Sequence, residues 1–222
     1  MADFTRDGFG QVEPNQLSAQ KTGQIYASLP LDDEVAILQQ GEFMYYDYAN
    51  GTVNAGKAAG AGVIATKGEP MLVFNEIKLY EPFWRTTYKD FALIRVGDNY
   101  VTSKLATAEY GENADKQQAS YQPHGKEYGY RMKGFAPRLF KTNVGDIYTT
   151  NMVALTLPGA DPGDDPVPQE YNVGDILTPV KNDDTKTMVL QKTNSSTGML
   201  WMVVKVYTMP DGQPGLKLQR VQ

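Results

Sequence analysis

Apolar positions in this chain come in short runs with turn-forming residues between them, and no run keeps the spacing of a long amphipathic helix. The C-terminal part shows this most clearly. Ile176–Val180, Thr187–Lys192, Met199–Tyr207 and Leu216–Val221 are separated by Asn182-Asp183-Asp184, Asn194–Gly198 and Pro210-Asp211-Gly212. Strand formers bounded by turn formers predict four strands, and strands so close in sequence predict a small barrel or curved sheet. Met188 and Leu190 alternate with Val189 and Gln191. Around Trp201 nearly every residue is apolar, which predicts a strand covered on both faces.

Further upstream, Phe43–Val53 reads FMYYDYANGTV. Asn-Gly between strand formers is the strongest short hairpin signal, because both residues tolerate the positive φ of a tight turn. Val63–Thr66 and Met71–Phe74 flank Lys67-Gly68-Glu69-Pro70 and predict a second hairpin. Leu31–Gln40 predicts one short helix, with Asp32 and Asp33 in its first turn and Gly41 ending it. Leu79–Ile94 holds Tyr80, Phe83, Trp84, Tyr88 and Phe91, which reads as an aromatic core anchor. Residues 105–130 are polar and predict a long excursion with a short helix near Thr107–Ala119.

These runs make the expected fold mainly β, sandwich-like or barrel-like, with an extended N-terminal arm and few short helices. Residues 1–30 keep neither a helical nor a strand period and read as an arm that packs on something else. Residues 31–155 form the main β-rich domain. Residues 156–169, TLPGADPGDDPVPQ, have the composition of a linker or protruding loop, and a domain boundary is expected there. Residues 170–222 form a small barrel-like domain.

Val-Gly-Asp occurs three times, at Val96-Gly97-Asp98, Val144-Gly145-Asp146 and Val173-Gly174-Asp175, each followed by a β-favouring run. Gly supplies the turn and Asp bonds a nearby backbone N–H, so the motif reads as turn, then strand. The unequal spacing excludes a regular solenoid. A shared calcium site would need several oxygens converging on one point, and the spacing gives no sign of that.

Composition narrows the function. The 222 residues include 21 Gly, 13 Pro and 14 Tyr, which suits many strands and turns. With 41% apolar and 21% charged residues the chain can build a core. It has no Cys, which removes disulfides, thiolate metal sites and a Cys nucleophile. No apolar run approaches the ~20 residues of a membrane helix, and the N-terminus lacks a signal peptide's basic start and apolar middle. Synthesis in a cytoplasm is expected. The net charge of −5 argues against nucleic acid as the main partner.

No cofactor, metal or catalytic site is expected. The single His124 lies in a polar turn without partners at suitable spacing. Residues 55–62, AGKAAGAG, lack the Gly-Lys-Ser/Thr ending of a phosphate loop. Asp161, Asp164 and Asp165 read as solvated linker charges. The rival from another class is a carbohydrate-binding module or glycan-active enzyme using Trp84 and nearby Tyr, with Glu76, Glu81 or Asp90 as its acids.

Charge is distributed unevenly. Lys126–Lys141 has a balance of +4, and Asp161–Asp184 one of −6. Opposite patches on one chain suit pairing with neighbouring copies or a partner shell.

Several segments resemble the virion proteins of tailed bacteriophages. They are Gly10-Gln11-Val12-Glu13-Pro14 with Gly23-Gln24-Ile25-Tyr26-Ala27, Gly41–Tyr48 with Asn50-Gly51, and Pro137–Phe140 with Val144–Asn151. The resemblance covers about residues 10–155. It implies a non-catalytic particle protein: a capsid decoration, auxiliary or minor head component. A tail-tube ring former is the nearer rival. The implied partners are a major capsid lattice or copies of the chain, without nucleic acid or membrane, and the implied location is the virion. The arm would then dock through Phe4, Phe9, Leu17, Ile25 and Tyr26, and the basic stretch through Arg131, Lys133 and Arg138.

Overall fold

The computed structural model describes residues 4, 6, 10–32, 34–35, 37–57, 68–74, 104–106, 137–157, 167–183, 185–209 and 212–222. The fold is mostly β, as the patterning predicts. Its elements are β1 (Val12–Gln16), α1 (Ser18–Thr22), β2 (Ile25–Tyr26), β3 (Ile37–Gln39), β4 (Phe43–Asp47), β5 (Thr52–Asn54), β6 (Met71–Val73), β7 (Lys104–Ala106), β8 (Leu139–Phe140), β9 (Ile147–Thr150), β10 (Thr156–Leu157), β11 (Val167–Pro168), β12 (Ile176–Asn182), β13 (Thr187–Lys192), β14 (Trp201–Thr208) and β15 (Pro214–Arg220). Among the described residues no helix is long and apolar enough to cross a membrane.

One antiparallel sheet runs β1-β9-β15-β14-β12-β13-β4-β6-β8-β2, with β5 paired to β4. Its chain connections force it to curl. Ten strands at ~4.8 Å spacing would put β1 and β2 roughly 43 Å apart in a flat sheet. The chain from Gln16 to Ile25 reaches about 32 Å even when fully extended, and part of it is the helical turn α1. The short stretch from β8 to β9 crosses the same gap. The sheet is therefore bent into a half-barrel, with both connections bridging its seam.

Residues from both edges and from the middle share one core. Trp201 is fully buried, with Tyr148 edge-on at 4.9 Å and Phe43 at 5.9 Å. Phe74 meets Phe140 at 5.2 Å. Val12, Leu17 and Leu31 belong to the same cluster. Large aromatics dominate such a core because each removes about 150–250 Å² from water.

The Asn50-Gly51 hairpin forms as expected, with Asp47 opposite Thr52 and Tyr46 opposite Val53. Its turn is organised by the buried Asp47 carboxylate, which accepts the amides of Ala49 and Asn50 and the side-chain amides of Asn50 and Asn54. Burial raises the Asp47 pKa, but these bonds outweigh it and hold the group below its usual value. The four C-terminal strands fall within a few residues of their expected places.

Four expectations are corrected. The helix expected at Leu31–Gln40 is absent from its described residues. Val53 N–H donates to Pro30 O and Asp32 N–H to Val53 O, so this segment spends its backbone groups on β5. Ile37–Gln39 is a strand paired with β7. The N-terminal segment is extended, but from Val12 onward it packs on this chain's own sheet, at both edges. The strand at Trp201 is covered on one face only: Trp201 and Val203 are buried, Met202 and Val204 half-buried, and Lys205 and Val206 exposed. Finally, β12–β15 join β4 and β9 in a single sheet, so the boundary placed at 156–169 divides the sequence and not the sheet. The ends of that segment pair as β10 and β11, the arrangement of a loop that leaves and returns at one place. The Val63–Thr66 hairpin arm, the Leu79–Ile94 aromatics and the Thr107–Ala119 helix lie outside the described residues.

Two glycines separate packing from turn geometry. Gly41 has φ 89°, and a Cβ there would lie 2.6 Å from the Met152 Cβ. Gly51 has φ 67°, and a Cβ there would meet nothing within 4 Å. G41A combines backbone strain with overpacking and should cost about 2–4 kcal/mol. G51A should cost only about 1 kcal/mol. Chemical denaturation of the two variants checks the difference, and equal losses would contradict it.

Candidate interaction surface

Two of the three Val-Gly-Asp motifs are described, and they build the same object twice. In each, Asn precedes the motif and Ile follows it. Asp146 N–H donates to Asn143 O at 3.0 Å, and Asp175 N–H to Asn172 O at 3.1 Å. The glycines take φ 95° at Gly145 and 94° at Gly174, the left-handed conformation that a type II turn needs at its third residue. Each aspartate then accepts the amide at the start of its own turn: Asn143 to Asp146 Oδ2 at 2.9 Å, Asn172 to Asp175 Oδ2 at 2.7 Å.

The turns also dock on the sheet in the same way. Gly145 N–H donates to Arg220 O, and Arg220 N–H to Asp146 O. Gly174 N–H donates to Val203 O, and Val203 N–H to Asp175 O. This fixes the turn backbones and leaves the valine at each tip without cover. Val144 is 67% exposed and Val173 68%. The turn reading of the motif therefore holds for both described copies, and Val96-Gly97-Asp98 lies outside the described residues.

The aspartates differ in what else they hold. Asp146 ties the two seam connections to each other at their β1–β9 end. Its Oδ1 accepts the Ser18 amide at 2.9 Å and its Oδ2 the Ser18 hydroxyl at 2.9 Å, while Asn143 Nδ2 donates to Ser18 Oγ at 2.7 Å. Lys141 N–H donates to Gln24 O and extends the β2–β8 ladder by one rung into the two connections. Asp175 instead pairs with Lys192 Nζ at 2.7 Å. The two carboxylates serve separate partners and do not converge on a shared ion. Among the described residues no group of three or more acidic or His side chains is placed to hold a metal.

The expected docking residues of the arm divide. Phe4 is buried, edge-on to Tyr171 at 5.3 Å, and Leu17 is 2% exposed. Both belong to this chain's core. Ile25 and Tyr26 are half-buried and pack against it, Tyr26 beside the Tyr46 ring at 5.1 Å. Arg138 is half-buried next to β8, and Phe74 N–H donates to its carbonyl. Phe9, Arg131 and Lys133 lie outside the described residues, as do His124, Trp84, Glu76, Glu81, Asp90 and the Asp161, Asp164, Asp165 cluster. Sequence reading found the turns but missed the exposed valines. The signal was the valine itself, standing before Gly in both copies where a turn leaves its side chain outside the sheet.

Two further charge clusters are internally paired. Lys57 Nζ bridges Asp32 at 3.2 Å and Glu34 at 3.3 Å in a shallow cleft also lined by Lys181 and Lys186. Glu42 is buried beneath the N-terminal segment, accepting the Gln39 amide at 2.6 Å and the Thr187 hydroxyl at 2.9 Å. Burial raises its pKa to about 8, against the lowering effect of those bonds and of the Arg6 charge.

No protein-family profile matches this chain, and no curated protein or solved structure matches it.

Glu42 gives the protein a pH dependence of defined sign. Its folded pKa of about 8 lies above its ordinary 4.5. Between those values the folded chain keeps a proton that the unfolded chain has released, so stability falls as pH rises through this window. E42Q should flatten that slope and still fold. Its amide NH₂ can face Thr187 Oγ, which can turn to donate to Thr185 Oγ at 2.8 Å. Thermal melts across pH check this, and an unchanged slope in E42Q would contradict it.

The two aspartates should also respond differently to amidation. Both Asp146 oxygens accept N–H or O–H donors, so D146N must set an NH₂ against a donor and should cost about 2–3 kcal/mol. Asp175 uses Oδ2 for both of its partners, so D175N can turn its NH₂ away and should cost about 1 kcal/mol or less. Denaturant unfolding of the pair tests this ranking.

Proposed function

We propose that this chain is a non-catalytic structural protein of a tailed-phage particle, a decoration, auxiliary or minor head component that binds the capsid lattice or copies of itself. The observation that supports it most is the pair of rigid turns, each holding a valine two-thirds exposed. Burying one such side chain is worth about 1.5–3 kcal/mol, and a turn already locked by hydrogen bonds loses little freedom on contact. Repeated by particle symmetry, modest contacts of this kind add up through multivalency.

The two longer segments that carry the phage resemblance lie mostly in the core, with only Tyr48, Asn143 and Val144 exposed. Gly41–Asp47 forms β4 and its entry, and Pro137–Asn151 forms β8, the Val144 turn and β9. The docking role expected of Phe4 and Leu17 passes to Val144 and Val173, because a side chain already in the core has no surface to offer.

Mass spectrometry of gradient-purified particles of the encoding phage tests the proposal. The chain should be present in many copies per particle, on heads rather than tails when located by immunogold labelling. Its absence from particles would overturn the reading, and labelling of tails alone would replace it with the tail-tube reading.

A further inference from the structure

Asn50-Gly51 occurs once in the chain, at the tip of the β4–β5 hairpin. Asparagine is a thermolabile side chain, and a glycine after it has no side chain to keep its own amide nitrogen from attacking. In that reaction the Gly51 nitrogen loses its proton and bonds the Asn50 Cγ. The Cγ–Nδ2 bond breaks, and the departing NH₂ takes up a proton and leaves as ammonia. Water then opens the cyclic imide on one side or the other, which yields aspartate or isoaspartate.

The pair has little steric cover. Asn50 and Gly51 are half-buried, so water reaches the turn, and a Cβ at Gly51 would meet nothing within 4 Å. What the turn supplies instead is hydrogen bonding. Asp47 Oδ2 accepts Asn50 Nδ2–H at 2.8 Å and Asn54 Nδ2–H at 3.1 Å. Its Oδ1 accepts the Ala49 amide at 2.9 Å and the Asn50 amide at 3.2 Å. The leaving group of the reaction is thus held by the residue three places earlier, while the attack must come from the residue after. Burial raises the Asp47 pKa, but the bonds from Asn50, Asn54 and Ala49 outweigh it, so the carboxylate is charged at neutral pH. A fixed negative charge there opposes the negative charge that grows on the Asn50 side chain during attack. Pairing of Asp47 with Thr52 and of Tyr46 with Val53 holds the backbone on both sides.

We infer that Asn50-Gly51 is a latent deamidation site, and that Asp47 guards it by holding the Asn50 amide back from the Gly51 nitrogen. The same contact makes the product incompatible with the turn. Aspartate at position 50 sets a second carboxylate against Asp47 Oδ2, with no donor between two like charges, and isoaspartate adds an atom to the turn backbone. Either product opens the hairpin that Asp47 closes. The inference stands on the hairpin alone and does not depend on the particle reading.

Peptide mass spectrometry of the folded chain, held in warm and mildly alkaline buffer, tests this. The mass gain that replaces NH₂ by OH is assigned to residue 50 by fragmentation and compared with a synthetic peptide of residues 43–57. In the folded wild type the change should be at least about tenfold slower than in the peptide, the rate cost of breaking a hydrogen bond to a charged group before attack. D47N has one acceptor oxygen where Asp47 has two. It cannot hold both the turn amides and the Asn50 side chain, so it should move the rate toward that of the peptide, and D47A should move it further. Thermal melts show which variants are folded at the incubation temperature. N50D carries the product's carboxylate and should melt below N50S at neutral pH. That gap should close as pH falls through the carboxylate range, because protonation removes the repulsion. A wild type that reacts as fast as the peptide, or folded Asp47 variants as slow as the wild type, would overturn the guarding role. An N50D chain as stable as N50S at neutral pH would overturn the opening of the hairpin.

Discussion

Everything in this fold depends on closing a seam. The ten-strand path through the sheet has two ends, and in this chain the two end strands are consecutive in sequence. The connection between them is too short for a flat sheet, so the sheet must bend until its edges face each other. Asp146 and Ser18 then lock the two connections that cross the gap. With the sheet curled in this way, side chains from its edges and its middle share one core, and Trp201, Tyr148 and Phe43 fill it together. The N-terminal segment is thus a staple for the sheet. Its apolar residues are consumed in that task.

The same constraint explains why the exposed chemistry sits where it does. A turn that begins a strand at a fixed level in the sheet must spend its polar groups on the neighbouring strand. The Asn-Val-Gly-Asp sequence does this twice with the same bonds. The residue left over is the valine, which precedes the glycine at the outer corner of the turn. Rigid backbone beneath an uncovered apolar side chain is a favourable design for a contact surface, because ordering has been completed on folding and not deferred to binding.

Much of this was legible in the sequence. The strands from Ile176 to Arg220 were visible because turn residues bound each run and β-branched residues fill it. The hairpin at Asn50-Gly51 was visible because its turn chemistry is local. What failed was non-local. Leu31–Gln40 has acidic residues where a helix would want them, yet Asp32 is drawn instead to Thr52 and Lys57, contacts that no window of adjacent residues contains. Val12–Gln16 hides its strand character behind Pro14 and Asn15. An edge strand tolerates such residues, since it needs hydrogen bonds on one side only. Nor could composition show that Phe4 meets Tyr171, which makes an expected docking residue part of the core.

Native-state hydrogen exchange tests the seam most directly. If the N-terminal segment staples the half-barrel, the amides of Ser18, Ile25 and Lys141 should exchange only through the global unfolding that also exposes β14 and β15, with the same dependence on denaturant. Exchange of those amides at rates close to an unstructured chain, while Val203 and Leu218 stay protected, would show that the sheet stands without its staple and would contradict the account.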